Sequence, residues 1–302
     1  MLFITIALHA QRFVNTTLDG AQAVYAITQD TSGVVWLGTD NGLYSYDGYH
    51  DYRHFASHTF SHIRINALGF EGSMLYLATG NGMLKFDTQK GIYASTPAME
   101  SDGDKGRKKA VKELRVLNMK GRKDAFGNDV YAILHTQKGL LVGSLSGLRL
   151  NQRQILLTPG AQPLVNALAY DAKRHCYWIG TEGALYCADQ ALQNFSKIAA
   201  LDGNSVKCLD EDQDGNLYIG TDNGLYRMAM NNSLEHFVHD SRNEATIPNN
   251  IVWSCYVDKW QNVWIGTDHG LSRLSTHTYY RFTSLDKITF SGEGNCLHAI
   301  LQ

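Results

Sequence analysis

The sequence is poor in proline, nearly neutral in charge and without long apolar runs. Only 4 of the 302 residues are proline, and 27 basic side chains almost balance 29 acidic ones, which leaves a formal net charge of −2. This balance gives no reason to expect nucleic acid or an anionic membrane as a partner. No stretch of 18 or more apolar residues occurs, so we predict no membrane insertion by this segment.

Cysteine is also scarce, and no two cysteines have zinc-finger spacing. Most of them lie in apolar strand patterns, so we interpret them as small buried thiols. They are Cys176, Cys187, Cys208, Cys255 and Cys296. By contrast, 44% of the residues are hydrophobic and 19% are charged, which is typical of a chain that forms a core rather than a disordered one.

Residues 1–10 form a short apolar run that ends in a small residue. The run is similar to the end of a secretory signal peptide without its basic segment, so we interpret it as a signal-peptide remnant of an exported protein. The alternative interpretation is that residues 2–8 form an ordinary strand.

One eight-residue phrase recurs six times along the chain. Its clearest copies read aromatic-(Ile/Leu)-Gly-Thr-x-x-Gly-Leu, and successive copies start 40, 65, 37, 40 and 46 residues apart. An insertion at about residues 98–126 explains the one long spacing. The copies begin at Trp36, Tyr76, Leu141, Trp178, Tyr218 and Trp264. A repeat of about 40–45 residues with this pattern predicts the blade of a β-propeller.

Each copy predicts four short antiparallel strands. The Asn-Gly and Asp-x-x-Gly segments supply the positive φ angles and side-chain hydrogen bonds of tight turns. The runs between them are rich in Val, Ile, Tyr and Trp and show no helical period. We therefore assign structural roles to the recurring positions of the phrase, which include Trp36, Gly38, Thr39, Gly42, Trp178, Gly180, Gly220, Gly224, Trp264, Gly266 and Gly270.

Two columns of the first predicted strand indicate how the blades are arranged. The first column is aliphatic in every copy, and the position two residues later is always small. This taper fits the innermost strand of a propeller, where blades crowd around the axis. The aliphatic column is Val24, Ile65, Val130, Val165, Val206, Val252 and Leu297. The small column is Ala26, Ala67, Ala132, Ala167, Cys208, Ser254 and Ala299.

The ends of the chain predict how the ring closes. Residues 295–302 resemble the first strand of a seventh copy, and residues 11–17 resemble an outer strand, as residues 280–284 do. We therefore expect an all-β propeller over residues 11–302, with four-stranded antiparallel blades. It would have seven blades, the seventh being incomplete and closed by the N-terminal strand. The sequence would then be part of a longer one.

The phrase, with the apolar strand and the Asp-x-x-Gly turn before it, resembles the two-component regulator propeller repeat. The resemblance covers nearly the whole chain from about residue 11, although Ala78 and Ser144 depart from the usual Gly-Thr. It implies the periplasmic sensor of a Bacteroidetes hybrid two-component system. In that family a seven-bladed propeller precedes a second propeller, a β-sandwich, a membrane helix, a histidine kinase and a DNA-binding output.

The same resemblance implies what the protein binds. Family members commonly sense oligosaccharides, so we expect an oligosaccharide or other small ligand. We further expect contacts with the downstream propeller and β-sandwich of the same receptor, and a homodimer of the full receptor.

One column of the first strand varies while its neighbours do not, and it is the strongest candidate for ligand binding. Aromatic and amide side chains suit sugars, because sugars offer C–H faces for stacking and hydroxyls for hydrogen bonds. The alternative is that these side chains fill the space between blades or line a water-filled channel. The column is Tyr25, Asn66, Tyr131, Asn166, Lys207, Trp253 and His298.

No pattern in the sequence predicts a metal, a cofactor or a catalytic centre. His54, His58 and His62 are spaced four apart, but they straddle a strand and a loop, where that spacing has no geometric meaning. Residues 210–215 read Asp-x-Asp-x-Asp-Gly like a calcium loop, but Thr221 stands where the loop needs glutamate, so we predict a hairpin turn. G-x-S-x-G and H-E-x-x-H are absent from the sequence.

The basic insertion has interspersed acidic residues and is interpreted as a solvated loop or an extended hairpin. We therefore expect a non-enzymatic sensor. Two alternatives stay open, namely a propeller lyase or hydrolase acting on a polysaccharide or lactone, and a purely structural scaffold.

Overall fold

The computed structural model describes residues 13–48, 50–54, 63–79, 82–94, 130–151, 153–158 and 162–275. Within these ranges the chain forms six four-stranded antiparallel sheets, which are the blades of a β-propeller. The predicted all-β class and four-stranded blade are therefore confirmed. The predicted insertion at 98–126 lies outside the described residues.

The first strand in the chain is β1 (Phe13–Thr16). Blade one follows with β2 (Val24–Gln29), β3 (Val35–Thr39), β4 (Gly42–Tyr46) and β5 (Asp51–His54). Blade two has β6 (Ile65–Glu71), β7 (Met74–Thr79), β8 (Gly82–Asp87) and β9 (Ile92–Ala94). Blade three has β10 (Val130–Thr136), β11 (Gly139–Ser144), β12 (Gly147–Leu150) and β13 (Arg153–Ile155).

Blade four has β14 (Val165–Asp171), β15 (Cys176–Thr181), β16 (Ala184–Asp189) and β17 (Phe195–Lys197). A 3₁₀ turn, Ala199–Leu201, leads to blade five, which has β18 (Val206–Glu211), β19 (Leu217–Thr221), β20 (Gly224–Met228) and β21 (Leu234–Phe237). Blade six has β22 (Val252–Val257), β23 (Asn262–Thr267) and β24 (Gly270–Ser275). None of the helical segments in the described ranges is long and apolar enough to cross a membrane.

The strand that carries the aliphatic and small columns is the innermost strand of each blade. These inner strands, β2, β6, β10, β14, β18 and β22, together line the cavity on the propeller axis. Their aliphatic residues are almost completely buried, as Val24 and Val206 at 0% exposure show. The taper therefore reflects the crowding near the axis that the sequence predicted.

The recurring glycine of the phrase lets neighbouring blades approach closely. A Cβ atom built on Gly180 would lie 2.5 Å from Cγ1 of Val206 on the next inner strand. Gly38 faces Ile65 in the same way, and Gly220 faces Val252. Real Cβ contacts of this length do not occur, because interiors are already close-packed. The glycine is thus a packing requirement between blades, not a turn requirement.

Hydrophobic clusters fill five of the blade junctions. They join blades one to two, three to four, four to five, five to six and six to one. Among the described residues, no such cluster joins blades two and three. The phrase of blade two carries Ala78 in place of the glycine, and its methyl group would not fit the close approach seen elsewhere. The change from glycine to Ala78 therefore coincides with the one junction that lacks a hydrophobic cluster among the described residues.

The N-terminal strand closes the ring through the sixth blade and not through a seventh. β1 pairs with β24, with Phe13 opposite Leu274 and Thr16 opposite Leu271. The prediction that residues near 11–17 form the outer strand of a blade is correct. The assignment of this strand to a seventh blade is wrong for the described structure, because β1 belongs to blade six. Residues 280–284 and 295–302 lie outside the described residues.

The contact between blades six and one explains why β1 joins blade six. Ser254 on β22 donates a hydrogen bond of 3.1 Å to the carbonyl of Val24 on β2. A Cβ atom on Gly266 would lie 2.5 Å from the same carbonyl oxygen. Direct packing of this kind leaves no space for another blade between them, so the described blades number six and the predicted count of seven is not confirmed.

Candidate functional site

The variable column of the inner strands lies at a β-bulge in all six blades. The strand pairing skips one residue between the aliphatic and the small position each time. The skipped residues are Tyr25, Asn66, Tyr131, Asn166, Lys207 and Trp253. A bulged residue leaves the regular ladder, which re-aims its side chain and is common next to functional sites. Here the six bulges form one ring, which we call the bulge ring.

The bulge ring surrounds a cavity at the end of the axis where the inner strands begin. The cavity measures about 240 Å³ and is lined by all six members of the bulge ring, by Val130 and by Arg64. A second cavity of about 300 Å³ continues along the axis, where apolar side chains such as Ile27 and Leu168 form its wall. Five members of the bulge ring line both cavities, so a ligand at this end would meet polar and aromatic groups in each of them.

Two aromatic rings of the bulge ring form a contact that two cations cover. The rings of Tyr25 and Trp253 meet edge to face, with 5.4 Å between centroids. The guanidinium of Arg64 lies 3.8 Å from the Tyr25 ring centroid and 6.0 Å from that of Trp253. The ammonium of Lys207 lies 4.7 Å from the Trp253 centroid. These are cation–π distances, so the cluster is held by its own charges and rings.

Hydrogen bonds fix the surroundings of this cluster. The indole Nε1–H of Trp253 donates to Asp268 at 2.9 Å, which sets the orientation of the ring. Burial raises the pKa of the Tyr25 hydroxyl, Arg64 opposes the shift, and Asp40 and Asp268 add to it, so the phenol is neutral at pH 7. A neutral phenol can donate and accept hydrogen bonds with sugar hydroxyls.

A polar chain continues the bulge ring on the side of blades four and five. The ammonium of Lys207 donates to Ser205, the Ser205 hydroxyl donates to Glu182 at 2.7 Å, and Asn166 donates to the same carboxylate. The bond from Ser205 lowers the pKa of Glu182; burial opposes the shift, and Asn166 and Lys207 reinforce it. Asn66, by contrast, has no hydrogen-bond partner among the described residues, so its amide is available to a ligand.

Six of the seven residues predicted for ligand binding thus surround one cavity. The seventh, His298, lies outside the described residues. Arg64 is a lining residue that the sequence analysis missed, because it precedes the aliphatic column and belongs to no repeated position. The equivalent positions of the other copies vary, with Ala23 and Leu164 apolar but Asp129 and Ser205 polar, so the sequence offered no clear signal for it.

The described residues contain no candidate metal site. In the part of the chain that the structure describes, no group of three His, Cys, Asp or Glu side chains could hold a metal ion. His58 and His62 lie outside that part. Asp212 closes the turn at residues 212–215, and its carboxylate accepts from the backbone of Asp214 and Asn216. The predicted hairpin turn is therefore confirmed.

Below the bulge ring, one carboxylate joins the inner strands of blades five and six. Asp210 accepts hydrogen bonds from the backbone N–H of Val257 at 2.7 Å and of Glu211 at 2.9 Å. Burial outweighs these bonds and raises the pKa of Asp210 to about 6.

This shift predicts a pH dependence of stability. Because the folded state holds the proton more tightly than the unfolded chain, stability falls as the pH rises from about 4 to about 6 and then levels off. The full shift is worth about 2–3 kcal/mol. Asp210→Asn should lack this loss, and urea unfolding at pH 4, 5, 6 and 7 measures it. Asp214→Asn, at an exposed position, serves as the control; equal pH profiles for Asp210→Asn and the parent would contradict the assignment.

Comparisons with known proteins show similarity to the two-component regulator propeller and to extracellular domains of two-component systems. The family model for the two-component regulator propeller matches residues 19–41, 200–223 and 246–269, which contain the first, fifth and sixth copies of the phrase. No curated protein matches the chain at a significant level.

Several solved structures are similar. The extracellular domain of BT4673 from B. thetaiotaomicron, assigned as a hybrid two-component system, has 30% sequence identity and a TM-score of 0.75 over 89% of this chain and 40% of that one. The corresponding domain of BT3049 from the same organism has 17% identity and a TM-score of 0.61 over 88% and 42%. YCF48 bound to a D1 peptide has 11% identity and a TM-score of 0.62 over 90% and 97%.

These structural similarities support conclusions of different strength. At 17% and 11% identity, the last two show the fold alone. The chain spans about 40% of the length of the two extracellular domains.

Proposed function

Because the chain carries two-component regulator propeller repeats, we propose that it is a ligand-sensing propeller in the extracellular part of a hybrid two-component receptor. The ligand is an oligosaccharide that binds at the bulge ring without being transformed. Binding biases the arrangement of this rigid propeller against the rest of the receptor, and a histidine kinase outside this chain responds. The proposed location is the periplasm, since the similar domains are extracellular.

The observation that carries the proposal is the coincidence of the six bulges with the six variable residues. Side chains that only supported the fold would repeat with it, as Gly180 and Val206 do in their columns. The bulge ring instead combines rings, amides and a cation around a cavity of about 240 Å³. Tyr25 and Trp253 supply aromatic rings, a group that stacks on sugars, and Asn66 supplies an amide without a hydrogen-bond partner among the described residues.

The same lining favours binding over catalysis. A lyase or hydrolase needs a general acid or base within reach of the substrate. Among the described residues that line the bulge-ring cavity there is no carboxylate and no imidazole. Burial raises the pKa of Tyr25, so its phenol stays protonated at pH 7 and is not available as a general base there. A purely structural scaffold, in turn, gives no reason for an amide at Asn66 that has no hydrogen-bond partner in the described part of the chain.

The proposal includes two partners beyond the ligand. A downstream propeller and β-sandwich of the same receptor would receive the signal, and the full receptor would act as a homodimer. A longer protein accommodates both, since this chain corresponds to about 40% of the similar extracellular domain.

Trp253→Ala tests the proposed site. We expect it to weaken saccharide binding about tenfold or more, because the indole supplies a stacking face and orders Tyr25 and Lys207. Titration calorimetry of this chain, and of the ectodomain that contains it, against a panel of oligosaccharides measures the change.

Trp260→Ala is the matched control. Trp260 is 52% exposed and lies in the turn between β22 and β23, at the opposite end of the inner strand from Trp253. Its removal should leave the affinity unchanged. If Trp253→Ala binds as tightly as the parent protein, the bulge ring is not the ligand site.

A further inference from the structure

We propose that the bulge ring recognises an acidic saccharide, one that bears a carboxylate or a sulfate group, through Arg64 and Lys207. This inference rests on the proposed function and specifies the class of its ligand. It follows from the sign of the charges that line the cavity, from the absence of ion pairs between these cations and the rest of the described chain, and from the aromatic contacts of the two cations.

The charged side chains that line the bulge-ring cavity are both cations. Among the described lining residues these are Arg64 and Lys207, and the remaining ones are aromatic, amide or aliphatic. Both cations approach one indole, since Arg64 lies 6.0 Å and Lys207 4.7 Å from the centroid of Trp253. Two like charges around one ring repel each other, and an anion between them would remove that repulsion.

Neither cation forms a direct ion pair with a carboxylate of the described chain, although Lys207 interacts electrostatically with Glu182 through the space beside Ser205. Arg64 and Lys207 form no ion pair within the described ranges, whereas other basic residues such as Arg174 and Arg227 do. The net charge of the whole chain is only −2, so this pair of cations without a direct ion pair among the described residues is a local feature and not part of a basic surface.

The acidic residues near this end of the axis are engaged in other bonds. Three of them accept hydrogen bonds from backbone N–H groups or from the Trp253 indole, and the fourth accepts from Ser205 and Asn166. They are Asp40, Asp222, Asp268 and Glu182. These bonds fix the four carboxylates, and none of the four belongs to the described lining of the bulge-ring cavity, whereas Arg64 and Lys207 do.

The stacking of Arg64 leaves its hydrogen-bonding edge available. Its guanidinium lies over the Tyr25 ring at 3.8 Å, and the side chain as a whole is exposed. A stacked guanidinium uses its face for the ring and keeps its N–H groups in the plane, where they match a carboxylate or sulfate with two bonds. Tyr25 and Trp253 lie beside that anion position, where the sugar ring that carries the acid could stack.

The test compares three probes on the same protein. These are a neutral galacto-oligosaccharide, an oligogalacturonide and a sulfated disaccharide, each titrated into the chain and into its full ectodomain. We expect at least one acidic probe to bind about tenfold more tightly than the neutral one, with an affinity that falls as NaCl is raised. The carboxylate and sulfate probes distinguish the two sources of negative charge.

Substitutions locate the effect. Arg64→Gln with Lys207→Gln should remove the preference for the acidic probe, because it should weaken binding of the acidic probe about tenfold more than binding of the neutral probe. Lys259→Gln is the matched control, because Lys259 also covers a tryptophan, at 4.4 Å from the ring of Trp260, but at the other end of the propeller. The melting temperature of each variant shows whether the fold is retained.

The possible failures separate the two proposals. If the neutral probe binds as well as the acidic ones and the double variant changes nothing, the acidic ligand is wrong and the sensor site stands. If none of the saccharides binds either protein, the proposed function fails and the inference fails with it. If Lys259→Gln alone abolishes acidic binding, the site lies at the other end and both proposals are wrong.

Discussion

Asp258→Ala should destabilise the propeller by about 3–5 kcal/mol, the largest loss expected from a single substitution outside the hydrophobic clusters. Asp258 is only 2% exposed. One carboxylate oxygen accepts from the backbone N–H groups of Trp260 and Asn262, and the other accepts from the Asn262 amide and the Trp264 indole at 2.9 Å. Alanine would leave all four donors without this acceptor.

The reason for the size of the effect is the link between two parts of the repeat. The Asp-x-x-Gly turn and the aromatic residue of the phrase are far apart in the pattern, but one carboxylate connects them. The same connection recurs from Asp30 to Trp36 and from Asp171 to Trp178. Loss of the carboxylate therefore frees both the turn between the first two strands and the side chain that packs against the neighbouring blade.

Urea unfolding followed by tryptophan fluorescence measures the change. Asp214→Ala is the control, because Asp214 occupies an exposed position of the equivalent turn and its carboxylate accepts no hydrogen bond within the described chain. Its effect should stay within about 0.5 kcal/mol. Asp258→Asn should fall between the two, since it keeps one acceptor oxygen. Equal stabilities of Asp258→Ala and Asp214→Ala would show that the carboxylate does not organise the blade.

The blade itself could be predicted from the sequence because its constraints are local. The turn residues, the strand lengths and the columns that contain Val24 and Ala26 all lie within one repeat. The same features recur in each copy of the repeat. The β-bulge between these columns could not be predicted from the sequence, because alternating aliphatic and small residues are also typical of a regular strand. It is the pairing of Val24 with Thr39 and of Ala26 with Gly38 that reveals the extra residue.

The closure of the ring depends on contacts between residues far apart in the chain, and such contacts are harder to predict from the sequence than the local pattern of a blade. A short alternating strand such as β1 can pair with any exposed sheet edge, and its pattern does not name its partner. In the structure β1 is held against blade six by Asn15, which accepts a hydrogen bond from Ser272. The Asn15 amide also donates to the carbonyl groups of Glu244 and Thr246. Similarly, Arg64 belongs to no column, and only the fold brings it over Tyr25.

Gly180→Ala should cost about 1–3 kcal/mol through overpacking at the junction of blades four and five. The new methyl group would meet Cγ1 of Val206 at 2.5 Å, Cβ of Val206 at 3.0 Å and Cβ of Ala167 at 3.2 Å. None of these atoms belongs to a flexible side-chain end, so the strands themselves must move apart. Chemical denaturation gives the loss, and Ala78→Gly, at the same position of blade two, is the matched control.

The two substitutions should differ in size because the two junctions differ in packing. Ala78 already carries the methyl group in a blade whose following junction has no hydrophobic cluster among the described residues, so its removal should cost no more than about 1 kcal/mol. Val206→Ala provides a further check, since it shortens the side chain that the new methyl meets. Its own cost should be smaller in the Gly180→Ala background than in the parent protein, as expected for residues in direct contact. Additive costs would mean that the glycine is required for another reason than the approach of the next blade.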